Sequence, residues 1–176
     1  FKRWEEVEPP DPFSFYGDLE KGFRIDKNWK WMKAETDEPP SDNASWIPVE
    51  MPPSQQQLIL PWIASFYKAD FECGEWLNSN RGKDIYMVCD IYAYDEEGTS
   101  VWLNGHYMGK YKSPILLGPF SLKVTEQLRE GANQLILKVP GEGGNVIAFA
   151  DPFLRHRARV KPMRVLIADD HAANRM

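Results

Sequence analysis

The sequence is poor in the residues from which many sites are built. It has 2 cysteines and 3 histidines in 176 residues. So few cysteines exclude a disulfide framework and a zinc ribbon. His106, His156 and His171 stand too far apart to show a metal-ligand spacing. No apolar run approaches the ~18 residues a membrane-spanning helix needs, so no membrane partner is expected. Positive charge is not in excess either: 21 Lys and Arg face 26 Asp and Glu, a formal net charge of −5. That balance argues against a nucleic-acid phosphate backbone as the main partner. The "PGEGGN" stretch at 140–145 lacks the Lys-Ser/Thr of a phosphate loop. No Gly-x-Ser-x-Gly turn is present to expose a nucleophilic serine. No cofactor is expected.

What the chain does have is aromatic and turn-forming residues. Hydrophobic residues make up 43% and charged residues 27%, a balance that can bury a core. The 7 Trp, 7 Tyr and 9 Phe accompany 14 Pro and 12 Gly. This mixture suits short strands joined by many turns and excludes a helical bundle. Prolines at 39, 40, 48, 52 and 53 rule out a long helix in the first third, which reads as short strands and loops packed by Trp29, Trp31 and Trp46. Cys73 and Cys89 read as small buried hydrophobes, with a single disulfide between them as the alternative in an exported protein. Asn43-Ala44-Ser45 fits a glycosylation acceptor. The chain opens at Phe1 rather than Met, which fits a processed or excised piece. The compartment stays open and leans towards a secreted or periplasmic one.

From residue 58 onward the pattern is that of strands. In "WIASFYKADFEC", Ile63, Ser65, Tyr67, Ala69 and Phe71 share one face, opposite Trp62, Phe66 and Lys68. After a turn at 81–83, "DIYMVCDIYAY" reads as one strand with Ile85, Met87, Cys89, Ile91 and Ala93 on one face. Both its faces are apolar or aromatic, as inside a sandwich. Asn104-Gly105 between two β-rich runs is a strong hairpin signal, because a type I′ turn needs positive φ at both central residues. "SPILLGPFSLKV" predicts a further strand, and "TEQLREGANQ" one helical turn capped by Thr125 and ended at Gly131. "QLILKV", "NVIAFADPF" and "RVLIADD" complete the set. About eight short strands with frequent turns indicate an all-β antiparallel sandwich.

The segment from 99 to 139 carries a specific resemblance. Val101, Trp102, Asn104, Gly105 and Gly109 are followed by Pro119, Phe120, Val124 and Thr125, then by Leu128, Gly131, Asn133, Leu135 and Val139. This series resembles the sugar-binding domain of family 2 glycoside hydrolases, the β-galactosidase and β-glucuronidase type. Upstream, Trp46 and Pro48 and the Tyr67-Lys68…Phe71 series are similar too, so the resemblance covers residues 25–150. Two departures stand out: Lys68 replaces the usual Arg, and Lys123 stands where an Asp is common. The resemblance implies a jelly-roll of the galactose-binding-domain-like type over 1–160, with a Trp/Pro-rich N-terminal wrap and a terminal strand or tail over 161–176. It also implies that the catalytic glutamates belong to a separate (β/α)₈ barrel, so a glycan or that barrel is the expected partner.

Glycoside hydrolysis needs two carboxylates flanking the scissile bond. Acidic groups stand at Glu5-Glu6, Asp95-Glu96-Glu97 and Asp169-Asp170; the first two read as solvated charges, and no catalytic site is expected in this chain. For a glycan, the densest group of aromatic, amide and basic side chains is Asn104, His106, Tyr107, Lys110 and Tyr111, on the hairpin. In the bare reading the hairpin is structural, its tyrosines cover the sheet, and Trp102 is a core residue. Near the end, Arg155, Arg157, Arg159, Lys161 and Arg164 form a basic run that reads as a solvated strand face or an edge protected by charge. "MRVLIADDH" resembles the opening of a response-regulator receiver domain, without the later phosphoacceptor. It reads as a final sandwich strand or as a stub. The expected function is a non-catalytic carbohydrate-binding or accessory domain. The alternative is a structural or protein–protein interaction sandwich without sugar affinity. Oligomeric state is open.

Overall fold

The computed structural model describes residues 2–7, 22–49, 64–89, 91–93, 98–112, 120–140, 146–149, 153–156 and 163–168. Its architecture follows from the period-2 patterns of two long strands. In β5 (Ser65–Glu72), Tyr67, Ala69 and Phe71 alternate with Phe66, Lys68 and Asp70. In β11 (Ala132–Val139), Leu135, Leu137 and Val139 alternate with Gln134, Ile136 and Lys138. Antiparallel pairing sets Leu135 opposite Ala69 and Leu137 opposite Tyr67, so the apolar sets share one face.

Around this pair the described strands are, in chain order, β1 (Lys2–Val7), β2 (Phe23–Arg24), β3 (Trp29–Lys33) and β4 (Ile47–Pro48), then β6 (Ile85–Cys89), β7 (Ile91–Ala93), β8 (Thr99–Leu103), β9 (His106–Tyr111) and β10 (Phe120–Lys123). The last are β12 (Val146–Phe149), β13 (Phe153–His156) and β14 (Met163–Ala168). A six-stranded sheet runs β4-β3-β5-β11-β8-β9, and a four-stranded one runs β10-β6-β13-β2. All their pairs are antiparallel. Val101, Leu103, Leu135, Leu137 and Trp29 from the larger sheet meet Ile85, Met87, Cys89, Phe120, Leu122 and Leu154 from the smaller in one buried cluster. This is the all-β antiparallel sandwich that the sequence predicts. Full burial of each such aliphatic side chain contributes about 1.5–3 kcal/mol, the main force holding the sheets face to face.

The structure differs from the sequence reading in several places. Residues 85–93 are not one strand: β6 lies in the four-stranded sheet, whereas β7, among the described residues, pairs only with β12. Side-chain alternation carries across such a switch unchanged, because only the hydrogen-bonding partner changes. Thr125 does not cap its own turn. Its Oγ1 accepts from the Ile85 backbone N–H at 2.9 Å and so ties the 124–128 turn to β6. A short helix, α1 (Gly74–Ser79), follows β5 where the sequence shows no helical period, being too brief to display one. Arg155 is buried rather than solvated, because β13 lies inside its sheet between β6 and β2. β14 pairs with β1 in a separate two-stranded sheet, not with an edge of the sandwich.

Both thiols are buried and no disulfide joins them. Burial pushes the Cys73 thiol up to about 11, so it stays protonated and unreactive at neutral pH. Asn43 and Ser45 of the acceptor pattern lie exposed at a turn.

Candidate functional site: a charged groove on the outer sheet face

The hairpin joining β8 to β9 positions most of the expected site residues. Asn104 and Gly105 both take positive φ, 51° and 81°, as the two-residue turn requires. Asn104 then spends its side chain on the fold. Its Nδ2 donates to the Gln127 carbonyl at 2.6 Å and to Asn133 Oδ1 at 2.9 Å, while its Oδ1 accepts from the Gln134 N–H at 2.9 Å. Buried Asn133 extends this network by donating to the carbonyls of Arg129 and Gly131 and accepting from the Arg129 N–H. The two asparagines thus tie the hairpin, the 124–131 turn and β11 together.

The two tyrosines of the hairpin point to opposite faces. The register pairs Trp102 with Tyr107 and Val101 with Gly109, so Met108 is an extra residue in β9. Such a bulge inverts the alternation beyond it. Tyr111 therefore packs towards the core, its ring stacked on Phe120 at 5.7 Å and its hydroxyl donating to the Met108 carbonyl at 2.7 Å. Tyr107 stays on the outer face with its ring 5.2 Å from that of Trp102, and it is 56% exposed. Lys110 shares the outer face, and His106 is exposed near the turn without reaching the groove described next. Of Asn104, His106, Tyr107, Lys110 and Tyr111, the fold brings only Tyr107 and Lys110 together at one cavity.

That cavity is an open groove of about 720 Å³ on the outer face of the six-stranded sheet. It is lined by Ser100, Trp102 and Tyr107, by Lys138 and Lys110 on the strands either side of Ser100, and by Glu35, Thr36, Asp37 and Glu38. Gly98 shapes one end. It takes φ +81°, and a Cβ there would lie 2.6 Å from the Tyr111 carbonyl oxygen, so only glycine lets the chain enter β8 so close to β9.

Segment 34–46 supplies these acidic residues and is fastened across the sheet at several points. Trp46 and Ala34 pack on Phe66, Trp102 and Ile136, which form a second apolar cluster. Trp102 is thus buried, as the sequence suggests, but on the outer side of the sheet and not in the main core. Lys68, 3% exposed, reaches Asp42 at 3.1 Å, and its ammonium lies 4.6 Å from the Trp46 ring centroid. Lys138 reaches Asp37 at 2.7 Å. Hydrogen bonds from Lys68 and then from Gln134, with the charge of Lys68, hold the Asp42 carboxyl below its ordinary value. The hydrogen bond and charge of Lys138 do the same for Asp37, with a smaller contribution from Lys110. Lys123, the other departure from the family pattern, pairs with Asp84 at 3.1 Å, away from the groove.

Sequence reasoning missed the acidic stretch and Lys138. The available signal was a lysine on an otherwise apolar strand, twice, together with an acidic stretch at 35–42. Glu5 and Glu6 fall in β1; residues 95–97, 169–170 and His171 lie outside the described residues, as do 157–162 of the basic run. Among the described residues no group of three His, Cys, Asp or Glu converges on a metal position.

No family model matches the chain. Among solved structures it is similar to a glycosyl hydrolase family 2 member from Bacteroides cellulosilyticus, with a TM-score of 0.56 and 19% identity over 77% of this chain and 20% of that one. It is also similar to a β-glucuronidase from Bifidobacterium dentium (TM-score 0.52, 21% identity, 67% of this chain and 20% of that one). A β-D-mannosidase from Dictyoglomus thermophilum aligns with a TM-score of 0.50 and 12% identity, over 77% of this chain and 22% of that one. The fold is therefore the β-sandwich found within family 2 glycoside hydrolases, and the chain spans about a fifth of their length. In sequence, a stretch of 35 residues is 71% identical to the sensory/regulatory protein RpfC of Xanthomonas campestris pv. campestris. That stretch is 20% of this chain and 5% of that protein.

Proposed function

We propose that the chain is a non-catalytic accessory sandwich of a glycoside-hydrolase-type protein, one that positions or contacts a glycan. The likeness over 77% of the chain to a fifth of a family 2 enzyme carries this reading. The groove supports the non-catalytic part. Hydrolysis needs carboxylates on both sides of the scissile bond. Among the described lining residues, the carboxylates are Glu35, Asp37 and Glu38, all from one four-residue stretch, and Asp37 is tied to Lys138. A catalytic barrel is the covalent or docked partner that suits such a domain. The test has two parts. The purified chain is expected to give no turnover of aryl-glycosides, and a saturable change in tryptophan fluorescence with at least one member of a panel of neutral and acidic glycans. Turnover overturns the non-catalytic reading, and silence across the panel overturns glycan contact.

A second reading, a structural or interaction sandwich without sugar affinity, draws support from Asn104 and Tyr111, whose polar groups are committed to the fold. Silence across the panel favours it.

A further inference from the structure

Resting on that reading, we infer that the outer-face groove binds a neutral glycan chain, with Tyr107 as the stacking surface and the Asp37–Lys138 pair as the hydroxyl-binding partners. Three observations converge on it. The first is a braced aromatic series. The Tyr107 ring contacts Trp102 at 5.2 Å, and Trp102 contacts Phe66 at 6.1 Å. Phe66 and Trp102 are buried while Tyr107 is 56% exposed, so the wet ring at the end of the series is held at its side by dry ones. A ring braced in this way loses little freedom when a ligand covers it.

The second is the pattern of charge. Three carboxylates and two ammonium groups line the groove, with Asp37 and Lys138 in contact, so the charges nearly cancel. A sugar hydroxyl both donates and accepts, and is served by carboxylates and ammonium groups alike. An anionic sugar would meet the carboxylates of Glu35, Asp37 and Glu38, and a phosphate backbone would meet the same repulsion. The third is availability. The Asp37 side chain is fully exposed, and an ion pair in such a setting exchanges readily for ligand hydrogen bonds. At about 720 Å³, the groove has the volume of a small-molecule site.

The experiment is calorimetric titration of the full chain and its variants with cellohexaose and mannohexaose, with hexagalacturonate as the acidic counterpart. At least one neutral hexasaccharide is expected to bind tenfold or more tightly than hexagalacturonate. Tyr107→Ala is expected to weaken it tenfold or more, and Thr36→Trp, which places an indole in the groove from an exposed position, to abolish it. Ile47→Ser, at the other large exposed hydrophobic among the described residues, is expected to leave affinity within twofold. Circular dichroism of each variant checks that the fold is intact. Glycan binding that survives Tyr107→Ala and Thr36→Trp overturns the groove and leaves the accessory reading standing. So does a preference for hexagalacturonate. Absence of binding to any glycan of the wider panel overturns both.

Discussion

The two faces of the six-stranded sheet are built from the same strands and held by different forces. On the inner face, Tyr67, Ala69, Leu135, Leu137, Val101 and Leu103 meet the opposing sheet in an apolar cluster. On the outer face, Phe66, Trp102 and Ile136 form a small apolar patch surrounded by Lys68, Lys138 and their aspartate partners on segment 34–46. The inner face depends on close packing, which is insensitive to pH and salt. The outer face depends on a strap of polypeptide whose ion pairs respond to both. The stable layer carries the strands, and the adjustable layer carries the groove.

Removing packing from the inner face should have the largest effect. Leu137→Ala, at a fully buried position, should lower the unfolding free energy by about 2–5 kcal/mol in urea titrations. A value under half of that would mean the inner face is not the main source of stability. Next comes the asparagine network that links the sheet to the hairpin. Asn133→Ala leaves the Arg129 N–H and the Asn104 amide without their acceptor and should cost about 2–3 kcal/mol by the same measurement.

On the outer face the two ends of one ion pair should behave unequally. Asp42→Ala leaves a buried ammonium without its carboxylate and should destabilise by about 1 kcal/mol, whereas Lys68→Met keeps the packing beneath Trp46 and should come out near neutral. Equal effects would show that the strap does not depend on the buried charge.

Acid should then separate the two faces without mutation. The carboxyls of Asp37 and Asp42 are held below the ordinary value of 3.8. Groups depressed in the folded state contribute fully above the unfolded value, and lose that contribution as pH falls through the lower folded one. The strap should therefore loosen only below about pH 4. Hydrogen-exchange protection, corrected for intrinsic rates, should fall at 36–45 before it falls in β11. Simultaneous loss would contradict the division into two layers. The smallest effect belongs to Tyr107→Ala, which should alter stability by no more than about 0.5 kcal/mol, because the ring is largely in water.

Much of the fold was legible because strand alternation reports burial directly. Tyr67, Ala69 and Phe71 face inward as their spacing predicts, and Asn104-Gly105 makes the turn its φ preference requires. The switch between β6 and β7 was not legible, since a change of hydrogen-bond partner leaves no mark on side-chain periodicity. The site was less legible than the fold. Tyr107 and Tyr111 stand four residues apart, a spacing that puts both on one face of a regular strand, but the extra residue at Met108 separates them. The acidic stretch escaped notice because Asp37 is 101 residues from Lys138, the side chain it meets.

By itself the sequence determined an all-β sandwich, its hairpin and the inward apolar sets. These follow from local spacing, residue volume and backbone preference. Only the tertiary structure decided which aromatic stays in water, which lysines are covered, and which carboxylates face them. A single bulge inverts a strand, and groups far apart in the chain become neighbours only when the sheet closes beneath them.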